Sequence, residues 1–287
     1  MKQIDNLLVN SYWETIEKVQ DRPKFANELK IISYADFKDK FSSLNDLKSL
    51  IKSVYNGDIY IIKNSFEKSF IDKVKNDFQK FVKSKESSFH KMKENCPDFH
   101  RVIDEKVSGL YSIKALKHSA YFFPWNGDEY NLFPVINERW RYLKIMGGRK
   151  YNEFENNTPK DGIVDRIQVL KYPPGGSLET HCDPYHNQRT FISIYMSTRG
   201  EDYRSGGFYV IDKNNKKLDL EKYISSGDIG FGYASIMHGV EKIDGLENCE
   251  WDTNKGRWFI GLYSNDSDEV KNRVTSKTIS PNSQLSS

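Results

Sequence analysis

The sequence has few cysteines, no long apolar run and little net charge. Its three cysteines, Cys96, Cys182 and Cys249, are far apart and lack CxxC spacing, which argues against a disulfide framework or a zinc knuckle. No apolar run approaches the ~20 residues of a membrane span, and the opening MKQIDNLLVNSYW has no apolar core of a signal peptide. We therefore expect a soluble, cytoplasmic protein with no membrane partner.

The charge pattern indicates which class of molecule the protein binds. The formal net charge is only +3 over 287 residues, and the lysines are scattered among Asp and Glu. A nucleic-acid enzyme would need a concentrated basic groove, which the sequence does not supply. There is also no GxSxG or Walker loop, and the GFG at 230–232 lacks the strand-to-helix setting of a nucleotide loop. The pattern favours a small-molecule substrate and leaves the oligomeric state open.

The most informative stretch is Tyr172–Tyr185, which reads YPPGGSLETHCDPY. A Pro-Pro-Gly-Gly turn is followed by a short extended run. Because alternate residues of a strand share a face, His181 and Asp183 project together, and Cys182 points the other way, into the core. His238, in SIMHGVEKI, is the best candidate for a third ligand. Two His and one carboxylate leave three open positions on an octahedral metal, the pattern of non-haem Fe(II) oxygenases.

The remaining sequence predicts one domain built around a β core. Residues 1–83 show apolar residues at helical spacing and one strand, typical of a support for a sheet. Residues 84–160 are expected to be an insertion followed by a helix over 133–146. From 161 to 264, short strands alternate with turns, which indicates a β-sandwich or barrel. Residues 265–287 form a polar tail.

The block from 163 to 264 resembles the double-stranded β-helix of Fe(II)/2-oxoglutarate-dependent dioxygenases. The resemblance lies in HCD at 181–183, His238 in MHGV, Arg257 in GRWFIGLYS, and an SGD turn at 226–228. It implies an α+β fold with a mainly β, jelly-roll, cupin-like core and N-terminal supporting helices. The PPGG turn is similar to the prolyl-hydroxylase-like branch. The His-Gly pair is similar to the phytanoyl-CoA-dioxygenase-like branch, and both remain open.

The resemblance implies a metal and a reaction. His181, Asp183 and His238 would hold Fe(II), and 2-oxoglutarate and O2 would take the remaining positions. The implied reaction converts 2-oxoglutarate to succinate and CO2 and hydroxylates a C–H bond. Related halogenases lack a carboxylate at the position of Asp183, so its presence favours hydroxylation, or desaturation as a variant.

The resemblance also implies residues that bind the cosubstrate. Arg257 would hold the far carboxylate of 2-oxoglutarate, since a guanidinium fork matches a carboxylate. A surface salt bridge is the alternative role for Arg257. Gln168 and Tyr172 share one face of a predicted strand and resemble cosubstrate-binding positions, although Tyr172 is equally compatible with a core role.

The substrate side is predicted less directly. Residues 84–132 contain the aromatic run SAYFFPWN, and we expect this segment to cover the iron as a lid. The alternative is a partly buried loop with solvated histidines. Polar and aromatic residues near the expected mouth suggest a polar, including an anionic, small molecule. The candidate substrate residues are Tyr121, Trp125, Tyr185, Arg189 and Arg204.

Two other functions are compatible with the same three metal ligands, His181, Asp183 and His238. One is a cupin-like protein that binds a metal or ligand without turnover. The other is a protein or nucleic-acid hydroxylase or demethylase of the same superfamily. Arg257 favours an enzyme, because a pure binder has no need of a residue that holds 2-oxoglutarate.

Overall fold

The computed structural model describes residues 4–278 and places them in two β layers flanked by helices. The helices are α1 (Asn6–Val19), α2 (Tyr34–Asp39), α3 (Leu44–Tyr55), α4 (Lys68–Ser84), α5 (Glu105–Ser108) and α6 (Phe133–Met146). The strands are β1 (Leu29–Ser33), β2 (Ile59–Lys63), β3 (Phe99–Ile103), β4 (Ala115–Phe122), β5 (Ile163–Tyr172), β6 (Ser177–Cys182), β7 (Thr190–Tyr195), β8 (Gly207–Ile211), β9 (Lys217–Asp219), β10 (Ile229–Tyr233), β11 (His238–Glu241), β12 (Arg257–Asp266) and β13 (Lys277–Thr278). Within residues 4–278, no helix is both long and apolar enough to cross a membrane.

The strands from β5 to β12 alternate between the two layers, except that β8 and β9 lie side by side in one of them. One layer has the order β1-β2-β10-β7-β12-β5-β4, and the other has the order β6-β11-β8-β9. Their pairs are antiparallel, whereas β1 and β2 are parallel. Strand β4 belongs to both layers, because it pairs with β5 along most of its length and with β6 through Ala115 and Leu116. This arrangement confirms the predicted α+β jelly-roll.

The N-terminal elements support the first layer. Helix α3 is capped by Ser43, whose hydroxyl accepts a hydrogen bond from the Asp46 N–H. Its buried residues recur at helical spacing and pack towards the sheet. Strand β2 was predicted at its observed bounds and pairs with β10. Residues 29–33, expected to be helical, instead form β1 at the edge of this layer.

Residues 84–132 differ from the predicted loop. They contain β3 and β4, and β4 lies in the interior of the sheet path between β5 and β6. The polar run Lys117–Ser119 hides the alternation of this strand, so the sequence gives little indication of it. The segment therefore lies beside the strand that carries His181, as part of the sheet.

Helix α6 has its predicted bounds, but one of its charges is not solvated. Lys144 is buried and donates hydrogen bonds to Asp165 on β5 and to the carbonyl of Glu153. A buried cation needs such a partner, because its desolvation is otherwise uncompensated. A row of basic residues on a helix is usually solvated, but at Lys144 the ion pair ties the helix to the sheet.

Two of the histidines in this region form a buried structural pair. Nδ1 of His100 lies 2.9 Å from Nε2 of His118, and Nε2 of His100 lies 2.8 Å from the carbonyl of Lys85. A carbonyl can only accept, so His100 donates from Nε2 and accepts at Nδ1 from His118. Burial, with His100 and Lys171 nearby, lowers the pKa of His118 to about 3. These two side chains join β3 to β4 and α4.

This histidine pair predicts an acid-sensitive fold. As pH falls below the ordinary His pKa of 6.5, the unfolded chain takes up a proton that folded His118 refuses until about pH 3. Stability is therefore lost as the pH falls through this window. Wild type should lose roughly 1.4 kcal/mol more per pH unit than His118→Gln. Urea unfolding at pH 7, 6 and 5 measures this slope, with exposed His90→Gln as the control. Parallel profiles for wild type and His118→Gln would contradict it.

Candidate active site

The three predicted metal ligands meet between two paired strands. His181 on β6 lies directly opposite His238 on β11, and Asp183 follows β6 immediately. The Nε2 atoms of His181 and His238 lie 3.7 Å and 3.9 Å from the carboxylate oxygens of Asp183. One ligand atom from each residue lies within 4.8 Å of the other two. This spacing allows all three to bind one ion.

Backbone hydrogen bonds prepare both imidazoles as ligands. Nδ1 of His181 donates to the carbonyl of Glu179 at 3.0 Å, and Nδ1 of His238 donates to the carbonyl of Ile236 at 2.8 Å. Each ring then carries its proton on Nδ1 and presents an unprotonated Nε2 to the cluster. Burial, helped by the neighbouring His238, also lowers the pKa of His181. A neutral imidazole is the form that binds a metal.

A cavity of about 440 Å³, including its open mouth, extends from the cluster between the two layers. Arg257 begins β12, only 2% exposed, and lies directly opposite Tyr172 on β5. Both residues line the cavity together with the three candidate ligands. The predicted metal ligands therefore share one space with Arg257 and Tyr172, whereas Gln168, the third residue predicted to bind the cosubstrate, does not line this cavity.

A buried carboxylate that the sequence did not reveal orients Arg257. Nε of Arg257 donates to Glu221, which also accepts hydrogen bonds from the Tyr203 hydroxyl at 2.5 Å and from the Phe208 N–H at 2.7 Å. Gly207 makes room for this carboxylate, because a Cβ there would lie 2.4 Å from Cγ of Glu221. The alternative role of a surface salt bridge is therefore wrong, because Arg257 is in a buried pair.

Two buried tyrosine hydroxyls next to Arg257 lack hydrogen-bond partners. Among residues 4–278, neither Tyr172 nor Tyr195 has a partner for its hydroxyl. The Tyr195 ring lies 5.6 Å from Cζ of Arg257. Burial raises the pKa of both phenols, so each remains a proton donor. Unpaired buried donors are costly, and a carboxylate at this end of the cavity would satisfy Tyr172, which lines it together with Arg257.

Solved structures share this architecture, although the sequence matches no protein-family model and no curated protein. A full-length Neurospora crassa protein in complex with alpha-KG and 5-formyluracil has a TM-score of 0.52 and 15% identity, covering 83% of this chain and 84% of that one. The complex of that protein with alpha-KG and thymine has a TM-score of 0.51 and 16% identity, covering 86% and 88%. The chain has the fold of the 2-oxoglutarate-dependent oxygenases. This confirms the fold that the sequence resemblance implied.

On this oxygenase fold, the C-terminal segment returns to the metal strand. The Ser276 hydroxyl donates to Oδ1 of Asp183 at 2.8 Å, while the Asp183 N–H donates to the carbonyl of Ala234. The backbone of β13 pairs with β6 at His181 and Cys182. Sequence analysis assigned this region to a polar tail, and a single serine carries no signal of such a contact. The last predicted residues of that tail, 279–287, lie outside the described residues.

Cys182 lies on the opposite face of β6, as the strand alternation predicts. It packs beside Tyr209, Ile211 and Met237, away from the candidate ligands. The neighbouring Thr180 shares a hydrogen bond of 2.7 Å with the Tyr209 hydroxyl, which joins β6 to β8. The outer face of β6 is thus packed against other side chains. This packing keeps His181 on the inner face of the strand.

The predicted substrate residues divide into two groups. Tyr121 lies on β4 opposite Gln168, and its ring is 5.4 Å from Cζ of Arg166. Trp125 instead stacks on Phe123 at 4.6 Å and belongs to a separate apolar cluster. Its indole N–H donates to the carbonyl of Cys96 at 2.9 Å. Tyr121 packs against this same cluster, and neither Tyr121 nor Trp125 lines the cavity.

The predicted residues after the metal strand do not line the cavity. Arg189 forms an ion pair with Glu17 of α1 and donates to the carbonyl of Gly147. Tyr185 packs against Tyr233 and under the guanidinium of Arg22. Arg204 is exposed, and its backbone N–H bonds to Asp244. Arg189 and Tyr185 thus have structural partners of their own, which the sequence order alone does not disclose.

The geometry of the cluster predicts that metal binding depends on His238. His238→Ala removes one of two neutral imidazole donors and should weaken Fe(II) or Mn(II) binding by at least ~10-fold, because even outer-shell changes have effects of this size. Anaerobic titration calorimetry measures the affinity. His90→Ala, which removes an exposed histidine, should bind like wild type. Equal affinities for His238→Ala and wild type would exclude this cluster as the metal site.

Proposed function

We propose that the protein is an Fe(II)- and 2-oxoglutarate-dependent oxygenase that hydroxylates a C–H bond of a small polar molecule. The observation that carries the proposal is the single cavity that contains the His181–Asp183–His238 cluster at its wall and Arg257 with unpaired Tyr172 at its end. A metal site and a carboxylate site in one space match the two ends of 2-oxoglutarate.

The donor set fits the proposed metal. Imidazole and carboxylate ligands suit Fe(II), and three protein ligands on one side leave positions for cosubstrate and O2. Bound iron would supply the oxidation that couples 2-oxoglutarate and O2 to the substrate. In the net reaction, one oxygen atom enters succinate and the other enters the alcohol, while CO2 is released. The chain itself orients the ligands through the carbonyls behind each imidazole.

The residues around Arg257 fit the far carboxylate of 2-oxoglutarate. The ion pair with Glu221 fixes the guanidinium through its Nε, leaving its Nη atoms to face a ligand in the cavity. The hydroxyl of Tyr172, which also lines the cavity, adds a donor from the neighbouring strand β5. Charge-assisted hydrogen bonds of this kind are the strong ones in a water-poor site.

Apolar side chains separate this chemistry from water. Phe191 and Phe208 pack against His238, with ring centroids 4.8 Å and 5.9 Å away, and Phe259 stacks on Tyr172. Such walls limit side reactions with water. The Neurospora crassa structures contain thymine or 5-formyluracil beside alpha-KG, which supports a small molecule as the substrate class here.

The proposed activity predicts succinate formation that depends on Fe(II), O2 and the cluster. Purified protein with Fe(II), 2-oxoglutarate and a panel of small acids, amino acids and heterocycles should release succinate, and the true substrate should accelerate it. Asp183→Ala should form none, because the only carboxylate of the cluster is gone. A metal-loaded wild type that fails to bind 2-oxoglutarate would instead indicate a binding protein without turnover.

We expect Arg257 to determine the affinity for 2-oxoglutarate. Because Arg257 is paired with Glu221, the test needs both a single and a double variant. Arg257→Gln alone leaves a buried carboxylate unpaired, which costs about 3–5 kcal/mol of stability. The double variant Arg257→Gln, Glu221→Gln removes both charges and should retain more stability. Both variants should bind 2-oxoglutarate about 10- to 100-fold more weakly, as expected for a lost charged hydrogen bond. Unchanged affinity in the double variant, measured by calorimetry with Mn(II), would assign the carboxylate to other residues.

A further inference from the structure

Arg166 lies behind Tyr263, a residue of the cavity wall, and six positions along the strand pair from Arg257. It lies on β5, on the same face as Gln168 and Tyr172, and directly opposite Tyr263 of β12. Tyr263 lines the cavity. Cζ of Arg166 lies 4.8 Å from the Tyr263 ring and 5.4 Å from the Tyr121 ring. The guanidinium is therefore held between two aromatic side chains, which leaves its edge to hydrogen-bond.

Within residues 4–278, this guanidinium has no carboxylate in hydrogen-bond or ion-pair contact. Nη2 of Arg166 donates to the neutral Gln168 at 3.2 Å, and its buried Nε has no hydrogen-bond partner among the described residues. Two fully buried cations, Arg257 and Lys144, have carboxylate partners. The residues outside the described range, 1–3 and 279–287, contain no Asp or Glu. A largely buried guanidinium of this kind is suited to an anion that comes from a ligand.

Lys117 adds a second positive charge to the same region. It lies on β4 four residues before Tyr121, and within residues 4–278 it takes part in no salt bridge or side-chain hydrogen bond. Burial and the charge of Arg166 lower the pKa of Lys117 to about 8, which leaves it mostly protonated at neutral pH. The carboxylate whose negative charge stabilises the protonated forms of both Lys117 and Arg166 is Asp183, a member of the metal cluster.

We propose that Arg166, assisted by Lys117, binds a carboxylate of the substrate beside the metal cluster. This inference rests on the proposed oxygenase function and names its substrate class. A carboxylate suits this position, because the edge of a guanidinium can donate two parallel hydrogen bonds to its two oxygens. The site is separate from Arg257, which has its own tyrosine hydroxyls and its own end of the cavity. It also lies on β4 and β5, away from the loop after the metal strand.

The test compares two probes of the same shape and different charge. Protein loaded with Mn(II) and saturating 2-oxoglutarate is titrated anaerobically with benzoate and, separately, with neutral benzamide. Wild type should prefer benzoate by about 10- to 100-fold, the value of a buried charged hydrogen bond. Arg166→Gln should abolish the preference and retain the wild-type affinity for 2-oxoglutarate. Arg166→Lys should restore part of it, and Arg141→Gln, an ion-paired residue of α6, should behave like wild type.

Other outcomes overturn the proposal in recognisable ways. Equal binding of benzoate and benzamide to wild type, or an unchanged preference in Arg166→Gln, would exclude a carboxylate site here. Tighter binding of phenyl phosphate than of benzoate would exclude carboxylate as the preferred class. A loss of 2-oxoglutarate affinity in Arg166→Gln would mean that Arg166 serves the cosubstrate.

The design separates this failure from failure of the proposed function. If wild type binds no 2-oxoglutarate, the oxygenase proposal fails, and the benzoate preference is then measured on the protein alone. If Arg166→Gln does not fold, Lys117→Gln replaces it and should lower the benzoate preference by several-fold. The shared role of these cations would be overturned if folded Lys117→Gln kept the wild-type preference for benzoate over benzamide and Arg166→Lys kept it as well.

Discussion

The pairing of β6 with β11 is the constraint on which the candidate site depends. It places His181 directly opposite His238, although the two residues are 57 positions apart in the chain (238 − 181 = 57). A one-residue shift in register would turn one imidazole to the outer face. Packing on that outer face opposes such a shift, because Cys182 and Thr180 contact Tyr209 and its neighbours. The ligand geometry is thus a consequence of sheet packing.

Charge compensation organises the rest of the interior. Buried Arg257 and Lys144 have carboxylates at hydrogen-bonding distance, and each pair joins elements that are distant in sequence. Because uncompensated burial of an ion is costly, such pairs mark positions that the fold itself satisfies. Arg166, held between aromatic rings without a carboxylate, differs from them. Buried Lys171 also has no carboxylate, but its ammonium donates to the carbonyls of Trp251 and Thr253, whereas the buried Nε of Arg166 has no partner among the described residues.

Local pattern was sufficient to predict much of the fold and the cluster. The alternation in HCD correctly separated His181 and Asp183 from Cys182, and the bounds of β5 and α6 follow from turn and helix signals. Glu221, Tyr195 and Ser276 were missed because their roles arise only from contacts between distant segments. Strand β4 was missed because its central residues are polar. They lie inside the protein, where a strand is normally recognised by its apolar residues.

The substrate side of this fold is set by the sheet as much as by its loops. Residues after the metal strand were expected at the mouth, but the structure uses Arg189 to tie this loop to Glu17 of α1. An arginine held by a half-buried carboxylate has few donors left for a ligand. Strands β4 and β5 instead present Lys117 and Arg166 from backbones that are hydrogen-bonded on both sides. Groups on such strands keep their positions better than groups on loops, so an anionic recognition site here would be held in a fixed relation to the metal cluster.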